Sequence, residues 1–164
     1  MPSYTSDQIR NVALVGHSGA GKTTLFEALL HAGGTVRAAG SVERGTSVSD
    51  FDPMEKARQH SLNTVIASID HGGIHVNLID TPGYPDFRGP TLSALAAVET
   101  CAVVVNGQNG IEYSTHRMME YAKARGLCRL LIVNKMDGAN LPKLVDSLRE
   151  TFGRYVDPRV VEGL

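Results

Sequence analysis

The chain has 164 residues, 42% of them hydrophobic, and 16 Lys+Arg stand against 17 Asp+Glu for a net charge of −1. That length suits one domain able to bury roughly two-thirds of its unfolded surface. The near-balance of charge removes the electrostatic argument for a generic nucleic-acid or membrane binder, and nothing indicates sequence-specific nucleic-acid binding; docking to a nucleoprotein through a local patch stays open.

The start, Met1-Pro2-Ser3-Tyr4-Thr5-Ser6-Asp7, has no apolar signal-peptide core. No uncharged apolar run reaches the length of a membrane span, and Cys101-Ala102-Val103-Val104-Val105 is only strand-sized. A cytoplasmic protein is therefore expected. Asn11-Val12-Ala13-Leu14-Val15 reads as a short buried strand. The run Gly16-His17-Ser18-Gly19-Ala20-Gly21-Lys22-Thr23 follows it and fills the phosphate-loop pattern G-x-x-x-x-G-K-[ST]. Glycines let consecutive backbone N–H groups converge on one anion. Lys22 brings a charge to the outer phosphates and Thr23 offers a hydroxyl to Mg²⁺. Thr24-Leu25-Phe26-Glu27-Ala28-Leu29-Leu30 reads as an amphipathic helix whose positive end points at the same place. The expected phosphate contacts are Gly16, His17, Ser18, Gly19, Ala20, Gly21, Lys22, Thr23 and Thr24.

A long polar stretch without period covers 33–63, a kind of segment that is usually functional or mobile. Two β-rich runs, 64–69 and 74–79, then flank His71-Gly72-Gly73 and predict a hairpin. Further along, helices are predicted over 90–98, 113–125 and 141–152, and strands over 102–106 and 129–133. Strands that alternate with helices and stay apolar predict an α/β fold in three layers. Its sheet is mostly parallel, covered on both faces, with one antiparallel edge hairpin. Cys101 and Cys128 open predicted buried strands and read as free small hydrophobes rather than a disulfide. Ligands in such sheets bind beyond the carboxyl ends of the strands, where every motif in this chain falls.

Asp80-Thr81-Pro82-Gly83 ends the second hairpin strand. A carboxylate there, beside a phosphate loop, suits Mg²⁺, usually through water. Gly83 can bring its backbone N–H to a terminal phosphate. Asn134-Lys135-Met136-Asp137 ends the fifth strand and selects the base. The Asp137 carboxylate can accept from guanine N1–H and the 2-amino group. Adenine lacks that pair of donors and would leave the carboxylate unmatched. Asn134 can bond the purine edge or tie the loop together, and the Lys135 stem can lie along the base.

The three motifs in this order and spacing resemble the P-loop GTPases, and within them the translation factors of the elongation factor G family. Three segments carry the finer resemblance. Phe51-Asp52-Pro53-Met54-Glu55-Lys56-Ala57-Arg58 resembles the family's segment before switch I. Asp80-Thr81-Pro82-Gly83-Tyr84-Pro85-Asp86-Phe87 resembles its switch II. Asn134-Lys135-Met136-Asp137-Gly138-Ala139-Asn140 resembles its base-recognition loop. The resemblance implies a GTPase that binds GTP/GDP and Mg²⁺ and acts as a switch in elongation or translocation, with the ribosome as partner. It implies a GTP-binding domain over 9–158, between short tails at 1–8 and 159–164. Lys22, Gly83 and Tyr84 are then the catalytic positions, and Thr23, Ser61 and Asp80 the metal contacts.

Four departures qualify the expectation. Tyr84 stands where the family has a water-positioning histidine, and a phenol of pKa about 10 is a poor proton acceptor. Arg58-Gln59-His60-Ser61-Leu62 replaces the family's R-G-I-T-I or R-G-I-S-I, keeping a hydroxyl at Ser61 but placing Gln59 at a glycine position. Gly19 replaces an Asp. Only residues 154–164 follow the last predicted helix, so the fold reads as truncated before its last strand, although Val160-Val161 can begin one; guanine binding by the isolated chain is then expected to be weak. The competing reading is a non-hydrolysing or slow GTP/GDP-binding module with a regulatory role. An ATPase or kinase on the same phosphate loop is the third, and the Asp137 motif argues against it.

Overall fold

The computed structural model describes residues 3–49, 63–84 and 88–153. A 3-10 turn over Ser6–Gln8 leads into β1 (Ile9–Gly16), followed by α1 (Lys22–Ala32). The hairpin is β2 (Val65–His71) and β3 (Ile74–Asp80). Then come α2 (Arg88–Ala96), β4 (Thr100–Asn106), α3 (Tyr113–Ala124), β5 (Cys128–Asn134) and α4 (Leu141–Phe152). The sheet order is β2-β3-β1-β4-β5. The pairs β1–β3, β1–β4 and β4–β5 are parallel and β2–β3 is antiparallel. This is the expected P-loop α/β fold with its edge hairpin. Gly72 and Gly73 make the hairpin turn with φ of +57° and +79°, a region that side chains resist.

Alternation along the central strands builds the two cores, because successive side chains of a strand leave opposite faces. Ala13, Val15, Cys101, Val103 and Val105 face Leu95, Val98, Met119 and Ala122 on the side of α2 and α3. Leu14, Leu78 and Ala102 face Phe26 and Leu30 of α1 on the other side. Burial pushes the Cys101 thiol up to about 12, so it packs as an inert apolar group.

The expectation of a continuously buried sheet needs correction at β5. Cys128, Arg129 and Leu130 are exposed, because β5 pairs with β4 alone among the described strands. Cys128 is thus a free surface thiol and not a core residue, although both cysteines are free as expected. No helix among the described residues is long and apolar enough to cross a membrane.

Candidate nucleotide-binding site

The motif residues at Gly16, Asp80 and Asn134 end β1, β3 and β5, and parallel pairing brings all three ends to one edge of the sheet. At Gly16 the chain turns with φ +136°, and a Cβ there would lie 2.4 Å from the Val104 carbonyl oxygen. Only glycine lets β1 leave so close to β4. Gly19 and Gly21 also take positive φ, +78° and +92°, and the Ala20 N–H donates to the His17 carbonyl (3.2 Å). Gly21 then caps α1, whose Leu25 N–H donates back to its carbonyl (2.9 Å).

Lys22 is buried within this turn, and its Nζ donates to the carbonyls of Gly16 (3.2 Å) and His17 (3.0 Å). Burial lowers its pKa, and the nearby Asp80 carboxylate works against that shift. An arriving phosphate would compensate the buried charge directly. Beside it, Thr23 Oγ1 donates to Asp80 Oδ2 (2.7 Å), joining the start of α1 to the end of β3. Two hard oxygen donors, adjacent to a phosphate cradle, fit the ligand chemistry of Mg²⁺. Asp80 is itself buried, and Thr81 Oγ1 behind it donates to the Leu14 carbonyl (2.7 Å). Gly83 closes against the cradle. A Cβ there would meet Lys22 Nζ at 2.5 Å, Ser18 N at 2.6 Å and Ser18 Cα at 2.7 Å. Tyr84 follows it, 38% exposed.

Asn134 reaches beyond its own loop. Its Nδ2 donates to the Ala20 carbonyl (3.1 Å), so the loop that begins at Asn134 is tied to the phosphate loop. Lys135 holds a φ of +54°, and its stem passes near Gly21. Asp137 is exposed at the mouth, and its loop is held by Gln108 Nε2 donating to its carbonyl (2.9 Å). Gly19 and Thr24 lie exposed around the cradle and Ser18 is half-buried. Ser61, with Gln59, His60 and the whole of 50–62, lies outside the described residues, as do 85–87 and 154–164.

Three contributors escape the sequence motifs. Glu112, at the start of α3, places its Oε2 3.3 Å from Nδ1 of the phosphate-loop residue His17. Gln108 supports the Asp137 loop. Glu27 is fully buried in α1, although it reads in sequence as one polar position of an amphipathic helix. Its spacing of four from Thr23, the repeat of one helical face, was the only available signal.

Comparison with known proteins agrees with this geometry. The model of the elongation factor Tu GTP-binding domain matches residues 7–161. An elongation factor G-like protein of Mycobacterium tuberculosis (strain CDC 1551 / Oshkosh) is 40% identical over 152 residues, covering 92% of this chain and 21% of that protein. A peptide chain release factor 3 of Gloeothece citriformis (strain PCC 7424) is 36% identical over 156 residues, 92% of this chain and 29% of the relative. The chain thus spans under a third of these relatives' length. A crystal structure from Thermus thermophilus superposes with a TM-score of 0.88 at 39% identity, over 95% of this chain and 24% of that one. A bacterial selenocysteine-specific elongation factor shares the fold, with a TM-score of 0.69 at 22% identity, over 93% of this chain and 25% of the other. With the phosphate loop, the Asp80 strand end and the Asn134–Asp137 loop on one sheet edge, the chain belongs to the translation-factor GTPase family, that of the elongation factor Tu GTP-binding domain.

Proposed function

We propose that the chain, through a GTP-binding domain over 9–158, binds GTP and GDP with Mg²⁺. It hydrolyses GTP to GDP and phosphate as a cytoplasmic switch in translation elongation, working with the ribosome. The observation that carries the reading is the Thr23–Asp80 hydrogen bond beside the buried Lys22, with Asn134 bonded to Ala20 across the same cradle. Lys22 and the 16–24 backbone take the phosphates. Thr23 and Asp80, with Ser61 from the segment outside the described residues, hold the metal, which when bound neutralises phosphate charge. Gly83 offers its N–H to the third phosphate. Asp137 accepts from the guanine edge, Lys135 lies along the base, and Asn134 fixes the loop that presents both. Switching follows from contacts that exist only while the third phosphate is present.

A second reading, a GTP/GDP-binding module that hydrolyses slowly or not at all, is favoured by one residue, Tyr84 at the family's histidine position. Single-turnover GTP hydrolysis with and without ribosomes separates the two. Binding itself is tested on the base. Inosine diphosphate lacks the 2-amino donor, so the wild type should prefer GDP by about tenfold or more, and Asp137→Ala should level the two. Equal affinities in the wild type would remove guanine recognition from the reading.

A further inference from the structure

Lys135 is the one non-glycine among the described residues with a positive φ, +54°. A side chain resists that region, and the backbone keeps it only where neighbouring structure holds it there. The strained residue stands two before Asp137, in the loop after β5. Much of what holds that loop belongs to the turn after β4. The two strands pair in parallel out to Asn106 and Asn134, so both chains leave the sheet side by side. Gly107 N donates to the Asn134 carbonyl (2.7 Å), and Gln108 Nε2 donates to the Asp137 carbonyl (2.9 Å). These bonds bracket Lys135 and Met136. Gly107 is buried, and a Cβ on it would lie 3.1 Å from the Asn134 carbonyl oxygen, 3.2 Å from that of Lys135 and 3.3 Å from Ala139 Cβ. Its φ is not positive, so the fold uses the room it leaves. The turn is closed on itself, since Gln108 N donates to Asn106 Oδ1 (2.9 Å) and Gly110 N to the Asn106 carbonyl (2.8 Å).

We propose that Gly107 and Gln108 are positioning residues that set the preference for guanine. They clamp the strained loop from both ends, so that the exposed Asp137 carboxylate is presented in one place. The inference rests on the guanine-nucleotide reading. Accepting from guanine N1–H and the 2-amino group together fixes both the distance and the plane of a carboxylate, because hydrogen bonds weaken steeply with angle. A carboxylate on a loosened loop can still follow one donor but meets two less often. Loosening therefore costs guanine more than hypoxanthine, which offers N1–H alone. The phosphate contacts are common to both nucleotides and cancel in the comparison. Because the clamp acts through Asp137, its effect should vanish when that carboxylate is gone.

The test uses the 164-residue chain as wild type, Gln108→Met, Gly107→Ala, Asp137→Ala, and Gln108→Met combined with Asp137→Ala. Each is titrated in Mg²⁺ with GDP and with inosine diphosphate. Gln108 is exposed, so methionine, similar in length but without a donor, removes the bond and leaves the core intact. Gly107→Ala pushes on the same loop from its other end, and Gln108→Met decides where that variant fails to fold. Expected in each is a fall of about threefold or more in the preference for GDP over inosine diphosphate, with GDP affinity carrying most of the loss. In the Asp137→Ala background, Gln108→Met should change GDP affinity by less than about twofold. An unchanged preference in Gln108→Met, an equal loss for both nucleotides, or a full loss that persists without the Asp137 carboxylate overturns the inference alone. A wild type that binds the two nucleotides equally, or binds neither, overturns the guanine reading and this inference with it.

Discussion

On the proposed reading, two neighbouring residues bear on different steps, Gly83 on holding phosphate and Tyr84 on the water that attacks it. Gly83 lies so close to the Ser18 backbone and Lys22 Nζ that a methyl group must displace one of them. Lys22 Nζ can swing aside, but the Ser18 backbone is part of the cradle. Overpacking of this kind costs about 1–3 kcal/mol. Gly83→Ala should therefore weaken nucleotide binding by about tenfold or more, read by titration with GDP and a GTP analogue. Tyr84 bears on the next step. A phenol is a poor general base, whereas an imidazole at the same backbone position can orient and deprotonate water. Tyr84→His should raise the single-turnover hydrolysis rate by about tenfold or more on ribosomes, with nucleotide affinity unchanged. A rate equal to wild type would mean that the tyrosine already suffices or that water is positioned from elsewhere.

At the scale of elements, the strands and turns near the site were legible because their signals are local. Glycine pairs demand positive φ, and the apolar runs of β1 and β4 alternate between two cores. Boundaries shifted where hydrogen bonding outruns hydrophobicity: β2 extends through the polar Asp70 and His71 because the antiparallel ladder continues to Ile74. What no local pattern could show was which partner a residue meets. Cys128-Arg129-Leu130 reads as a buried start of strand until β5 proves to have one described neighbour. Glu27 reads as solvated until ten residues of loop fold over it. Glu99 is a similar case at the other edge of the sheet. It takes the Asn11 N–H on Oε1 and Asn11 Nδ2 on Oε2 (3.0 Å), linking the approach to β4 with β1, and Asn77 Nδ2 continues the line by donating to Asn11 Oδ1 (2.8 Å). Burial pushes the Glu99 carboxyl up, but its hydrogen bonds and Arg10 together outweigh that and hold it below its ordinary 4.5. A depressed carboxyl stabilises the fold above its unfolded value and loses that contribution as pH falls through the folded one. The urea midpoint should thus drop as pH falls below about 4.5, and Glu99→Gln should flatten that part of the profile. A parallel profile for the variant would remove Glu99 from the acid sensitivity.

For the whole molecule, the site is a place where the fold leaves stability unclaimed. Lys22 is buried against carbonyls with its charged form disfavoured, and Gly16, Gly19 and Gly21 hold positive φ in the turn around it. On the proposed reading the burial cost of Lys22 is returned when a phosphate arrives, so nucleotide should act as a stabiliser of the entire sheet rather than of one loop. The linkage is quantitative. A ligand at a hundred times its dissociation constant adds about 2.7 kcal/mol to the unfolding free energy. For a chain of this size each kcal/mol moves the melting temperature by about 2–4 °C, so GDP with Mg²⁺ should raise it by about 5–10 °C. Two controls make the shift specific. ATP should give none, because adenine cannot supply the two donors that Asp137 accepts. Lys22→Ala should lose most of the GDP response while keeping the fold, since among the described residues its side chain bonds to the Gly16 and His17 carbonyls alone. Equal shifts with GDP and ATP would leave the phosphate cradle standing and take the base-reading role from Asp137. A GDP shift that survives in Lys22→Ala would mean that backbone N–H groups alone hold the phosphates.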